Sequence, residues 1–258
     1  QAAWQSIGKS GKKEVQGGNM KMLEAEKVTK YFGGMAAVSN VDFSVSQGEI
    51  VGLIGPNGAG KTTLFNLITG ALPLSSGEIR FKGRKISGLK PHQICRMGVA
   101  RTFQLVKVFG NMPVLQNVML GSLFGREHTV SPAEAVREAR EALEFVGLAE
   151  YINAPAKDLI VGNQKRLEMA RAIATKPELL LLDELMAGLN ATEVSDAIND
   201  VKKLRAKGIT IIMIEHVMKA IMSVCDRIIV LHHGEKIAEG TPQEIATSSK
   251  VIEVYLGE

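Results

Sequence analysis

The sequence predicts an α/β fold in which a mainly parallel sheet carries helices on its faces. Three observations predict it. Short apolar runs at Leu179–Leu182, Ile209–Ile214 and Arg227–Leu231 recur with helical patterns between them, and this αβαβ alternation implies parallel strands joined by crossover helices. The first run is continuously apolar and the second is broken only by Thr210, a near-continuous pattern that suits strands buried on both faces. A glycine-rich turn separates a strand pattern at Glu49–Ile54 from a helix pattern at Lys61–Thr69.

Taken in order, Gln1–Asn19 is polar, rich in Gly and Lys and aperiodic. It reads as a disordered leader or a remnant of expression, with Met20 or Met22 as a natural start and the domain proper at 20–258. Leu23–Phe32 and Val41–Val45 alternate and read as strands, and Glu78–Lys82 reads as another. Pro91–Ala156 reads as mostly helical. Its clearest helix is Ser131–Val146, with Ser131 as N-cap and Pro132 at the first helical position. Ala191–Ala206 reads as a helix, Gly234 as part of a hairpin turn, and Pro242–Ala246 and Val251–Leu256 as short closing helices.

Composition narrows the class. A chain of 258 residues suits one large α/β unit or a core with an inserted lobe, and 45% hydrophobic residues suffice for a sizeable core. The net charge of +4 comes from 31 basic and 27 acidic residues, and Lys9, Lys12 and Lys13 against Glu14 put about half of it in the leader. The remainder is too mild to argue for nucleic acid, and none is expected as a partner. Cys95 and Cys225 sit in no metal-spaced cluster and read as structural thiols in a reducing compartment. No run approaches the ~18–20 apolar residues of a bilayer span, and the start has no apolar segment of a secretory signal. The expectation is a cytoplasmic protein held at a membrane only by partners.

Gly55-Pro56-Asn57-Gly58-Ala59-Gly60-Lys61-Thr62-Thr63 matches G-x-x-x-x-G-K-[ST], with a strand before it and a helix after. Glycines let backbone N–H groups turn inward around an anion, and the helix N-terminus adds positive potential at the same point. Lys61 is placed to reach β- and γ-phosphates and the Thr62 hydroxyl to ligate Mg²⁺. The pattern indicates a nucleoside triphosphate and leaves the class of phosphate-loop protein open.

Leu179-Leu180-Leu181-Leu182-Asp183-Glu184 is an apolar strand ending in two acids. Such a strand delivers Asp183 to the C-terminal edge of the sheet, where ligands bind in open α/β folds, and there it suits a magnesium ion. Glu184 is the candidate general base or water-positioner. His216 follows the Ile209–Ile214 strand pattern and Glu215. Its residue type alone does not single it out, since a lone histidine after a strand is more often structural.

These elements in this order resemble the ABC ATPase family from Leu23 to Glu258. Arg101-Thr102-Phe103-Gln104 resembles the family's Q-loop, with Gln104 as its glutamine. Phe32 before Gly33-Gly34 stands where the family places an aromatic that stacks on adenine. His216 matches the switch histidine, and Ala187-Gly188-Leu189-Asn190 resembles the D-loop. The RTFQ and AGLN stretches and the tail Ala238-Glu239-Gly240-Thr241-Pro242 with Tyr255-Leu256-Gly257-Glu258 resemble ATPases of branched-chain amino acid importers. Lipopolysaccharide-export and urea or amide importer ATPases are close relatives.

The resemblance implies a P-loop NTPase core with a mainly parallel sheet, an N-terminal antiparallel β subdomain and an inserted α-helical subdomain over roughly 91–156. It implies ATP and Mg²⁺ as cofactors, with Gln104 at the metal and γ-phosphate. It also implies a head-to-tail dimer with an identical or sister ATPase, permease subunits received by the helical insert, and a solute-binding protein met only through them.

The departures begin with the signature segment, which is L-S-G-G-Q or L-S-Y-G-Q in the family and Leu159-Ile160-Val161-Gly162-Asn163 here. Gly162 is kept. The family's serine, whose hydroxyl touches the γ-phosphate held by the other subunit, is Ile160. Leu185, Ala191 and Val217 replace two prolines and an aspartate. The expectation is that ATP still binds and turnover is reduced. A DNA- or ribosome-directed ABC protein would carry two cassettes, long coiled coils or basic arms, and none is visible. A kinase or GTPase would leave Gln104, the signature-like segment and His216 unexplained.

Overall fold

Continuously apolar strands need cover on both faces, and two sheets with surrounding helices supply it. The computed structural model describes residues 20–256, so the leader reading for residues 1–19 and the Gly257-Glu258 end of the tail lie outside the described residues. The first sheet is antiparallel, in the order β2-β1-β4-β5, formed by β1 (Lys21–Phe32), β2 (Met35–Ser46), β4 (Ser76–Phe81) and β5 (Arg84–Lys85). The second has the order β10-β9-β3-β8-β7-β6, from β3 (Ile50–Ile54), β6 (Val99–Arg101), β7 (Leu179–Asp183), β8 (Thr210–Ile214), β9 (Arg227–His232) and β10 (Glu235–Gly240). It is parallel except for β10, which returns through the His233-Gly234 turn.

Alternate residues of each central strand face opposite ways. Leu180, Leu182, Ile211, Met213, Ile228 and Val230 point into one core, and Leu179, Leu181, Ile212, Ile214, Ile229 and Leu231 into another. The second core lies under the antiparallel sheet and α1 (Lys61–Ile68). The first lies against α3 (Val114–Phe124), α4 (Pro132–Phe145), α5 (Val161–Ala174), α6 (Ala191–Ala206) and α7 (Met218–Val224). Local signals set the helix ends. Ser131 accepts from the Glu134 amide, and Asn190 and Glu193 cap α6 reciprocally. Cys225 is buried and burial pushes its thiol up to about 12, which keeps it unreactive.

The 91–156 stretch is less uniform than its pattern suggests. It opens with α2 (Pro91–Arg96), but Val99–Arg101 then pairs with β7 as the edge of the main sheet. Three residues are too few to show a strand period. Beyond that strand, α3 and α4 pack on α5, which lies outside the stretch in sequence.

Gly121 marks how closely α3 meets α5: a Cβ there would stand 2.3 Å from the Arg171 carbonyl oxygen. Alanine in place of a helical glycine ordinarily adds up to ~1 kcal/mol of stability. Gly121→Ala is expected to lose about 1–3 kcal/mol instead, because backbone must move to admit the methyl. Urea denaturation of the two proteins reads the sign.

Candidate functional site

Three strand ends meet at one edge of the main sheet. β8 pairs with β3 on one side and with β7 on the other, and Ile214 lies opposite both Leu53 and Asp183. The turn Gly55–Gly60, the acids Asp183-Glu184 and the pair Glu215-His216 therefore leave the sheet at the same level.

The turn needs its glycines. Gly55 and Gly60 have φ of 148° and 100°, and a Cβ on either would stand 2.1 Å from the Leu231 oxygen or 2.4 Å from the Ala37 oxygen. The Lys61 ammonium is buried and donates to the carbonyls of Gly55 at 2.5 Å and Pro56 at 2.8 Å. Asn57, Gly58, Ala59, Gly60, Lys61, Thr62 and Thr63 line a cleft of ≈ 620 Å³ together with Phe32, Gln104, Glu184 and His233. Its size suits a nucleotide. Phe32 presents a half-exposed ring at the cleft's mouth, with the Lys30 ammonium 5.3 Å from its centre.

Glu184 joins the residues singled out in sequence. Its Oε2 accepts from Gln104 Nε2 at 2.8 Å, and its Oε1 lies 2.9 Å from His216 Nε2. Asp183 points elsewhere: its Oδ2 accepts from Arg101 at 2.6 Å, and Arg101 also donates to Asn66 at 2.6 Å. Burial pushes the Asp183 carboxyl up against the opposing pull of Arg101. Its other oxygen, Oδ1, is buried without a hydrogen-bond partner among the described residues. An unpartnered carboxylate oxygen beside a phosphate loop with the exposed Thr62 hydroxyl is a donor set of the hard oxygens that magnesium takes.

Gly162 lies apart from the cleft, in the first turn of α5 beside Leu189 and Glu193. Helix α5 begins at Val161, with Ile160 as an N-cap that offers no side-chain hydrogen bond. Ile160 and Val161 are both about two-thirds exposed (66% and 65%). Val217, where the family has aspartate, likewise leaves α7 without a side-chain cap. Leu185 is buried in the core.

The sequence reading missed Asn66, Arg101 as the partner of Asp183, His233 in the cleft, and the buried pair Lys165 and Glu215. Arg101 opens the RTFQ stretch, but nothing local links it to an acid 82 residues away.

A glycine turn gripping a buried lysine, set between a parallel strand and a helix beside paired carboxylates, defines a P-loop nucleotide-binding cassette. The family model described as "ABC transporter" matches residues 38–187, and one described as "Branched-chain amino acid ATP-binding cassette transporter" matches 235–258. The high-affinity branched-chain amino acid transport ATP-binding protein BraF of Pseudomonas aeruginosa is 42% identical over 250 residues, covering 92% of this chain and 98% of BraF. The ADP conformation of MJ1267, an ATP-binding cassette of an ABC transporter, superposes with a TM-score of 0.84 at 35% identity, over 93% of this chain and all of that one. The dimeric cassette MJ0796 bound to ADP and Pi gives 0.79 at 27% identity, over 86% and 99%. The chain belongs to the ABC transporter family, among its ATP-binding cassettes.

Burial pushes the Glu215 carboxyl up to about 7, with the Met186 amide and Lys165 opposing the shift. The folded protein therefore holds a proton that the unfolded chain releases near pH 4.5. Stability from this group is full below that pH and is lost as pH rises through about 7. Between pH 5 and 7.5 the loss is on the order of 2 kcal/mol. Glu215→Gln is expected to remove that part of the slope, read from denaturation midpoints across this range.

Proposed function

We propose that the chain binds Mg·ATP in the cleft and hydrolyses it to drive uptake of branched-chain or related amino acids. The single observation that carries the chemistry is the Glu184 carboxylate, held between Gln104 and His216 at the rim of the Lys61 cradle. Similarity to BraF over nearly the whole chain supports the solute class.

The residues divide the work as follows. Loop amides from Asn57 to Thr63 and the Lys61 ammonium bind the β- and γ-phosphates, and Lys61 exchanges two neutral carbonyls for charged oxygens, which makes stronger hydrogen bonds. Phe32 stacks on the base. Thr62, Asp183 Oδ1 and Gln104 would hold Mg²⁺, which when bound supplies charge neutralisation at the phosphates. Glu184 takes the proton from, or orients, the attacking water, with His216 and Gln104 fixing its carboxylate.

A second cassette, identical or a sister chain, is the expected partner in a head-to-tail dimer, and the dimeric MJ0796 supports the arrangement. Its α5 N-terminus with Gly162 would meet the phosphate from the far side. No helix among the described residues is long and apolar enough to cross a membrane, so permease subunits would provide the channel and hold the cassette at the inner face. A solute-binding protein enters only through them.

Lys61→Ala is expected to weaken ATP binding at least a hundredfold, since the polyphosphate loses its main counter-charge; isothermal titration measures it. Unchanged affinity would remove the cradle assignment.

Ile160 explains why turnover should be low: it offers neither a hydroxyl to a partner's γ-phosphate nor a cap to α5. Ile160→Ser is expected to raise steady-state ATP turnover severalfold in the assembled transporter and to add about 1 kcal/mol of stability from the new N-cap. Equal rates would defeat the account of Ile160.

A further inference from the structure

Two buried ionisable side chains outside the nucleotide chemistry hold the segment that follows β7. Lys165, on α5, is 8% exposed. Its ammonium donates to the carbonyls of Glu184 at 3.0 Å, Leu185 at 3.3 Å and Ala187 at 2.6 Å. An ammonium has three N–H donors, so one carbonyl answers each. Glu215, 2% exposed, accepts the Met186 amide on Oε1 at 2.8 Å. Four consecutive residues are thereby held by two side chains, Lys165 taking carbonyls and Glu215 the intervening amide.

The backbone between them needs holding. Glu184 has φ of 50°, the left-handed region, which costs a non-glycine residue roughly 1–2 kcal/mol. Such a conformation persists where its surroundings enforce it. The Glu184 amide donates to the Ile214 carbonyl at 2.9 Å, which anchors one end. The grip of Lys165 on the Glu184 carbonyl anchors the other. This turn aims the Glu184 side chain at Gln104 and His216 rather than along the strand.

We propose that Lys165 and Glu215 are positioning residues that clamp Glu184–Ala187 in the turn aiming Glu184 into the cleft, and that Lys165 ties this aim to the placement of α5. The inference rests on the reading of Glu184 as the hydrolytic carboxylate. It extends that reading, because α5 is also the helix whose first turn faces the partner's nucleotide in the proposed dimer. One lysine then links the segment a cassette offers to its partner with the carboxylate it uses itself. A rotation of α5 would pull three carbonyls of the Glu184 turn.

The test uses the full chain, Mg·ATP hydrolysis and equilibrium ATP binding. Lys165→Met keeps an unbranched stem and removes every donor. It is expected to lower kcat at least tenfold while KM and the ATP Kd stay within about twofold. Lys165→Arg still donates to several carbonyls and should recover most of kcat. Wild-type kcat in Lys165→Met overturns the clamp, and so does a parallel loss of ATP affinity, which would mean general damage to the site. If Lys165→Met does not fold, the Glu215 pair decides. Glu215→Gln retains a carbonyl acceptor for the Met186 amide and should keep kcat within twofold, whereas Glu215→Leu should drop it tenfold at unchanged Kd. Equal kcat in the two overturns the proposal. Glu184→Gln separates the layers: wild-type turnover there removes the reading of Glu184 and the clamp together. An inert Glu184→Gln beside an unimpaired Lys165→Met removes the clamp alone.

Discussion

The parallel pairing of β8 between β3 and β7 is the constraint on which the site depends. Because Ile214 sits level with both Leu53 and Asp183, the phosphate loop, the two acids and Glu215-His216 emerge side by side. All three strands are buried along their length. A one-residue slip would exchange the two cores facing their sides and is therefore strongly opposed. Precision at the site is thus inherited from burial in the sheet rather than built by the loops themselves.

Around that edge the site's charges are answered from within the chain. Lys61 rests on loop carbonyls, Asp183 on Arg101, and Glu184 on Gln104 and His216. Unpaired charges at such depth would cost several kcal/mol each. Nucleotide binding is then an exchange of partners. Among the described residues two buried carboxylate oxygens are left over, Asp183 Oδ1 and Glu215 Oε2; the first, at the end of β7, is where the proposed cation would add a bond without displacing one. Positive backbone angle at Glu184 belongs to the same economy: the strand must end abruptly for its last carboxylate to turn into the cleft.

Most of this architecture was legible in sequence where the signal was local. The glycine turn with its lysine, the apolar strands ending at Asp183 and Ile214, and the cap at Ser131 are each written in a few adjacent residues. They reappear within a residue or two. The short edge strand Val99–Arg101 was not, because three residues carry no period. The partnership of Arg101 with Asp183 and the grip of Lys165 and Glu215 on the Glu184 turn were hidden for another reason. They join residues 19 to 82 positions apart, and only the folded sheet reveals that a lysine inside a helix pattern has no solvent to face. The loss of the signature serine at Ile160 was visible as a departure from the family's pattern, while its N-cap position and exposure at the helix end required the structure.

The central claim is that the turn from Gly55 to Thr63 is a phosphate cradle closed by Lys61. A crystal structure of the full chain with Mg·ATP tests it most directly. The account predicts that Lys61 Nζ leaves the Gly55 and Pro56 carbonyls for β- and γ-phosphate oxygens, with the base against Phe32. Nucleotide bound elsewhere, with the ammonium still on those two carbonyls, would contradict it.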